Sequence, residues 1–236
     1  VSERRHAANL DVPLEVTREA RNYNAWLYGR ARPFLGRRLL DLGAGIGTFT
    51  ELALADGREV TALEPDQVFA SALETEFGSH PRATIVCATV EELRERDPPP
   101  FDAAISFNVL EHMVDDRSAV AAARELLRPD GRLLLIVPAH PLLLGDVDRA
   151  LGHLRRYRRR PLARLLYEAG FDVEQARYVN PVGALGWLLT FRLRSWPEKW
   201  PRHQYRLFDR LVPALKLLDR VPLPVGLSLW AVARRP

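Results

Sequence analysis

LLDLGAGIGTFT, residues 39–50, joins an apolar strand to the start of a helix through three glycines in alternate positions, Gly43, Gly45 and Gly47, with Ala44 between the first two. Glycine lets the main chain turn tightly and approach a ligand closely, and a helix opening at Thr48 sets unpaired N–H groups beside it. The stretch reads as a nucleotide-type loop. A dinucleotide fingerprint, G-x-G-x-x-G, would need its third glycine where Thr48 stands, and no Gly-Lys-Ser/Thr of a phosphate loop follows.

Outward from this loop, short apolar runs alternate with helical patterns, as βα units on a parallel sheet require. Strands are expected at Arg37–Leu42, Glu59–Glu64, Ala83–Cys87, Phe101–Phe107, Arg132–Val137, Phe171–Tyr178 and Val225–Ala233. Helices are expected at Leu14–Phe34, Thr48–Ala55, Asp66–Phe77, Asp115–Leu127, Pro161–Ala169, Val182–Arg194 and His203–Asp219, with Pro213 kinking or breaking the last. The fold class is α/β: a doubly wound, seven-stranded, mostly parallel sheet with a reversed last strand. One domain would span residues 1–236, with an N-terminal helical cover (1–36), a core (37–180), a helical insertion (181–222) and the last strand (223–236).

Composition agrees with a folded globular chain: 236 residues, 47% hydrophobic and 27% charged. No apolar run reaches about 18 residues and the N-terminus has no signal-like apolar centre, so a cytoplasmic protein is expected. The lone Cys87 can form no intramolecular disulfide. Glu64 ends the second strand, 23 residues after Asp41, where an acid can accept from both ribose hydroxyls of an adenosine. Asp41 reads equally as a ligand contact or as a structural brace for the loop. The fourth strand delivers FDAAISFNVLEHMVDD to the same carboxyl edge, where an open α/β sheet binds its ligand.

These segments in this order, LDLGAGIGTF, LEPD, VCATVEEL, FDAAISFNVLEHM and LLRPDGRLLLIVPAH, resemble the class I S-adenosylmethionine-dependent methyltransferases, which have a Rossmann-like fold. The resemblance implies S-adenosylmethionine as cofactor. Asp41 and Gly43–Gly47 would hold its methionine portion, Glu64 and Pro65 its ribose side, Thr89 and Val90 the adenine, and Phe107, Asn108 and Leu110 its other side; Tyr23 on the N-terminal cover joins this set. The family often has Asp where Thr89 stands, and glycine where Asp130 stands. DRALGHLRRYRRRPL, YVNPVGALGWLL and RLFDRLVPALKLLDRVPLPVGLSLWAVARRP resemble bacterial methyltransferases associated with glycosyltransferases, which implies a sugar or glycolipid hydroxyl as acceptor. The alternatives are O- or N-methylation of a polyketide, aromatic or amine metabolite, or a catalytically silent cofactor- or partner-binding module.

Methylating an alcohol calls for removal of its proton, a task suited to histidine near neutral pH. His140, just after the fifth strand, and His153, beside the arginines, are the candidate bases, His112 a candidate for orienting the site, and catalysis without a protein base the remaining option. Asp115, Asp116, Asp146 and Asp148 follow no ligand spacing, so no metal is expected. The formal charge of +4 is local: residues 149–164 carry seven arginines and no acid, and the +4 less those seven leaves −3 for the rest. Within that run Arg155, Arg156, Arg158 and Arg159 are candidates to hold an anionic small-molecule or lipid-linked acceptor, against the plainer reading of a solvated face. Nucleic acid is not expected, since no second basic patch or base-stacking motif accompanies the run. Trp187, Trp196 and Trp200, interleaved with Arg192, Arg194 and Lys199, could anchor the protein peripherally at the inner membrane face, pack on their own domain or meet in a homodimer.

Overall fold

The computed structural model describes residues 18–187, 202–216 and 223–236. Seven strands, β1 (Arg38–Leu42), β2 (Glu59–Leu63), β3 (Ala83–Val86), β4 (Phe101–Phe107), β5 (Leu127–Pro138), β6 (Asp172–Val179) and β7 (Ser228–Arg234), form one sheet in the order β3-β2-β1-β4-β5-β7-β6. The first five run parallel. β7 lies antiparallel between β5 and β6, pairing Leu134 with Val232 on one side and Ala176 with Ala231 on the other. The reversed last strand is as expected, and β3 and β6 form the sheet edges.

Alternation within β1 explains why helices cover both faces. Leu40 and Leu42 point into a core with Leu93, Ala119, Val120, Leu162 and Leu166, whereas Leu39 points the other way, among Leu27, Tyr28, Ala53 and Leu73. The helices are α1 (Arg21–Ala31), α2 (Thr48–Ala55), α3 (Gln67–Phe77), α4 (Val90–Glu95), α5 (Asp116–Leu126), α6 (Asp146–Ala150), α7 (Arg159–Glu168), α8 (Pro181–Trp187) and α9 (Arg202–Leu215). Burying each leucine of β1 stabilises by about 1.5–3 kcal/mol, which fixes the strand on which the glycine turn stands.

Three of the boundaries that differ from the sequence reading have local reasons. β5 starts at Leu127 instead of Arg132, because Asp130 N–H and the Gly131 carbonyl are both taken up by Arg235 of the C-terminal tail. Helix α7 starts two residues before Pro161, which still falls in the first turn, where its missing N–H costs no bond. Helix α9 passes through Pro213 to Leu215. A proline there cannot donate to the Asp209 carbonyl one turn back; Asn22 Nδ2 donates to it instead, at 3.1 Å. Asp209 also accepts from the Tyr23 backbone N–H at 2.9 Å, capping α1, whose own N-cap Ala20 has no side chain for the task. The insertion is thereby tied onto the N-terminal cover.

Arg192, Arg194, Trp196, Lys199 and Trp200, the side chains of Trp187 and His203, and the N-terminal residues through 17 lie outside the described part. Among the described residues no helix is long and apolar enough to cross a membrane.

Candidate functional site

Two groups of residues meet at the carboxyl edge of the sheet. The first is the glycine turn. Gly43, Gly45 and Gly47 all have positive φ, 73°, 55° and 82°, the region where side chains are disfavoured. Two also have no room for one: a Cβ on Gly43 would lie 2.5 Å from Val109, and one on Gly47 would lie 2.4 Å from the Phe77 ring. The N–H groups of Gly43 and Ala44 both donate to the Leu63 carbonyl, at 2.8 and 3.0 Å, stitching the turn to the end of β2.

Glu64 stands at that end, buried, and its carboxylate is turned to the turn: Oε2 accepts from Gly45 N–H at 2.8 Å and Oε1 from Asp66 N–H at 3.0 Å. A carboxylate has about four acceptor positions, so each oxygen keeps capacity for a further donor. Burial raises the Glu64 carboxyl above its ordinary value, while its two backbone donors oppose the shift. Asp41 makes a structural contact. It is buried, and Oδ2 accepts from Thr50 Oγ1 at 2.7 Å, tying β1 to α2; burial, with the nearby Glu64 charge adding, pushes it up to about 6.

The other cofactor candidates separate. Asn108 is exposed, in left-handed conformation (φ 57°), its N–H held by the Ile136 carbonyl at 2.8 Å, so its side chain stands at the edge. Pro65 is exposed at the turn before α3, and Val90 and Leu110 are buried. Phe107 is a correction: it is buried, edge-on to Phe49 at 4.8 Å and beside Trp230, as core under the site. Thr89 is exposed, and its hydroxyl accepts from Glu92 N–H at 3.2 Å, capping α4 in a capping box while its O–H stays available to donate. Tyr23 packs on Trp26 and Phe208, with ring centroids at 5.5 and 5.9 Å, in a groove also lined by Asn180 and Val212. A contact absent from the sequence reading is Arg18, which reaches the Ile46 carbonyl at 3.2 Å and pairs with Glu51 and Glu76, holding the start of the cover against the glycine turn.

The second group lies after β4 and β5. Residues 152–157 are laced along the sheet edge: Leu154 N–H donates to the Glu111 carbonyl at 2.9 Å, Tyr157 N–H to Pro138 at 2.8 Å and His140 N–H to Tyr157 at 2.9 Å. The Tyr157 hydroxyl spans Asp116 at 2.9 Å and the Leu110 carbonyl at 3.2 Å. His153 Nδ1 lies 2.9 Å from Asp148 Oδ1, which also accepts from Arg156 Nε at 2.8 Å, and Gly145 N–H donates to Oδ2 at 3.0 Å. Burial alone would raise the Asp148 carboxyl, but the bonds from His153 and Arg156 and the guanidinium charge hold it below its ordinary value. Glu111 is fully buried with neither carboxyl oxygen hydrogen-bonded, and burial pushes it up to about 8. The His112 ring stands edge-on to His153 at 4.9 Å. His140 stacks on Tyr178 at 4.7 Å with φ 61°; burial lowers its pKa, and Nε2 has no hydrogen-bond partner.

This geometry redistributes the arginine run. Arg156 is a correction as an acceptor contact: its side chain is 1% exposed and bonded to Asp148 and the Ala139 carbonyl. Arg155 is likewise committed, to Asp116 and the Val114 carbonyl, both at 2.9 Å. Arg158 and Arg159 are exposed, at the start of α7. The four aspartates do not assemble. Asp115 caps α5, Asp116 holds Tyr157 and Arg155, Asp146 pairs with Arg149, and Asp148 serves His153 and Arg156. Ligand atoms of Glu111, His112 and His153 do fall within 4.8 Å of one another.

A family model described as a methyltransferase domain matches residues 16–176. Among curated proteins, the ubiquinone biosynthesis O-methyltransferase of Alkalilimnicola ehrlichii is 37% identical over 106 residues, 42% of this chain and 40% of that protein. The same enzyme of Photorhabdus laumondii is 34% identical over 113 residues, 46% of this chain and 45% of that protein. The aligned stretch thus spans under half the length of these relatives. Among solved structures, the Burkholderia thailandensis 1,6-didemethyltoxoflavin-N1-methyltransferase, with its substrate and S-adenosylhomocysteine bound, is 25% identical with a TM-score of 0.56, covering 92% of this chain and 77% of that one. A SAM-dependent methyltransferase from Archaeoglobus fulgidus has a TM-score of 0.61 at 17% identity, covering 90% of this chain and 94% of that one, a likeness of fold.

Proposed function

The chain belongs to the S-adenosylmethionine-dependent methyltransferases, and from that premise we propose that it methylates a hydroxyl oxygen of a small-molecule acceptor, with a sugar or glycolipid as the acceptor class. The observation that carries the reading is Glu64, buried at the end of β2 with acceptor capacity left on both oxygens, beside three positive-φ glycines. That donor set fits an adenosine with a charged amino-acid tail. Glu64 would accept from the ribose hydroxyls, the backbone of Gly43–Gly47 would border the methionine end, and Asn108 would stand on the far side.

S-adenosylmethionine supplies a sulfonium methyl group: as an acceptor oxygen bonds to that carbon, the carbon–sulfur bond breaks and its electron pair stays on sulfur. The chain's own task is alignment at the sheet edge, and bringing two bound reactants into near-attack geometry can be worth about 7–11 kcal/mol. Oxygen as the acceptor atom is supported by the curated relatives, which are O-methyltransferases by name. The saccharide class is supported by the resemblance of residues 148–162, 178–189 and 206–236 to glycosyltransferase-associated methyltransferases. Arg158 and Arg159, exposed after β5, are the arginines placed to meet a phosphate on such an acceptor.

The test is transfer of a labelled methyl group from the cofactor into a bacterial extract, fractionated into saccharide, glycolipid, phenolic and amine pools. Label in a base-stable ether of the saccharide or glycolipid pools is expected; label confined to amines contradicts oxygen, and label confined to phenols contradicts the saccharide class.

A further inference from the structure

The LGH of residues 151–153 forms no part of the cofactor site, yet its histidine is held by a buried carboxylate, Asp148, at the acceptor side. The groups around His153 are Asp148 on Nδ1, Arg156 behind Asp148, Glu111 Oε1 at 3.9 Å from Nε2, and the His112 ring. An ionised carboxylate can only accept hydrogen bonds, and Asp148 is ionised, with Arg156 Nε and Gly145 N–H both donating to it. His153 Nδ1 must then carry a proton toward Asp148, and in the neutral ring the lone pair is on Nε2, on the opposite side. The His153 side chain is 12% exposed, with Nε2 on the edge that faces Glu111 and the His112 ring alongside.

Resting on the O-methyl transfer reading, we propose that His153 Nε2 takes the acceptor's hydroxyl proton, and that Asp148, clamped by Arg156, is the positioning residue that fixes the ring and its tautomer. In the step the acceptor O–H bond breaks and the proton passes to Nε2. The oxygen pair forms the O–CH3 bond, and the departing thioether keeps the carbon–sulfur pair. The imidazolium that results is stabilised by Asp148, the same division of labour by which a buried carboxylate orients a catalytic histidine elsewhere.

Nitrogen NMR on protein labelled in its histidines, with no ligand added and the signal assigned by His153→Asn, reads the tautomer directly. The expected result above neutral pH is an Nδ1–H ring with bare Nε2, lost in Asp148→Asn and restored in Asp148→Glu. An Nε2–H ring in the wild-type protein overturns the proposal, and this holds even if Asp148→Asn fails to fold. In labelled-methyl transfer to extract, His153→Asn is expected to slow turnover by about 10²–10⁴-fold, the range of a general base, with S-adenosylhomocysteine affinity unchanged. Full turnover in His153→Asn, or its loss in His140→Asn alone, overturns it. A wild-type protein that transfers no methyl group and binds no S-adenosylhomocysteine refutes the methyltransferase reading beneath it, whatever the tautomer shows.

Discussion

The two halves of the site are built from different materials. On the cofactor side the backbone does most of the work: positive-φ glycines, N–H groups donated to Leu63 and Glu64, and helix ends, with Glu64 and Asp41 as the principal side chains. On the acceptor side the backbone of residues 152–157 serves as a rail, and a set of ionisable side chains stands on it, Glu111, Asp148 and Arg156 buried and His153 partly so. A backbone cradle binds one invariant ligand shape, whereas a side-chain network can hold and move a proton. The difference teaches where each half should fail.

The largest break is expected at Arg156. Arg156→Met removes the guanidinium that balances the buried Asp148 charge, leaving it His153 and the Gly145 N–H; breaking a buried pair typically costs about 3–5 kcal/mol, and denaturant unfolding should show it. A loss near zero would mean that the network does not hold the acceptor side together. Next comes Gly47→Ala, where a side chain in left-handed conformation pressed on Phe77 should cost about 2–4 kcal/mol, measured the same way. A Glu111 carboxyl raised in the folded state makes stability highest below its unfolded value near 4.5 and erodes it as pH climbs through about 8. Between pH 6.5 and 8.5, beyond the window of Asp41, the melting temperature of the wild type should fall while that of Glu111→Gln falls less; parallel curves would contradict the burial of an acid there. The smallest effect belongs to the exposed pair: Arg158→Gln with Arg159→Gln should shift stability by less than about 0.5 kcal/mol yet raise KM for an anionic acceptor.

The contrast also explains what could be read in advance. The strand β4 at Phe101–Phe107, helix α2 at Thr48–Ala55, the reversed β7 and the glycine turn follow from local periodicity and from the backbone demands of consecutive residues. Phe107 was legible as a strand-end aromatic but not as core, because its partners Phe49 and Trp230 come from distant parts of the chain. The arginine run misleads for the same reason. Charge is visible in sequence, whereas Asp116 and the Ala139 carbonyl, which take up Arg155 and Arg156, are brought there only by the fold. Asp148 and His153 sit five residues apart, so their pairing had a local signal; Glu111, 42 residues before His153, had none.

The central claim, that the glycine turn and Glu64 form a cofactor cradle, is tested most directly by calorimetric titration of S-adenosylhomocysteine into the wild-type protein and Glu64→Ala. Loss of hydrogen bonds to a charged group predicts binding weaker by about 1.5–3 kcal/mol in the variant, roughly 10- to 150-fold, with the variant still folded. Equal affinity in the two proteins, or none in the wild type, would contradict it.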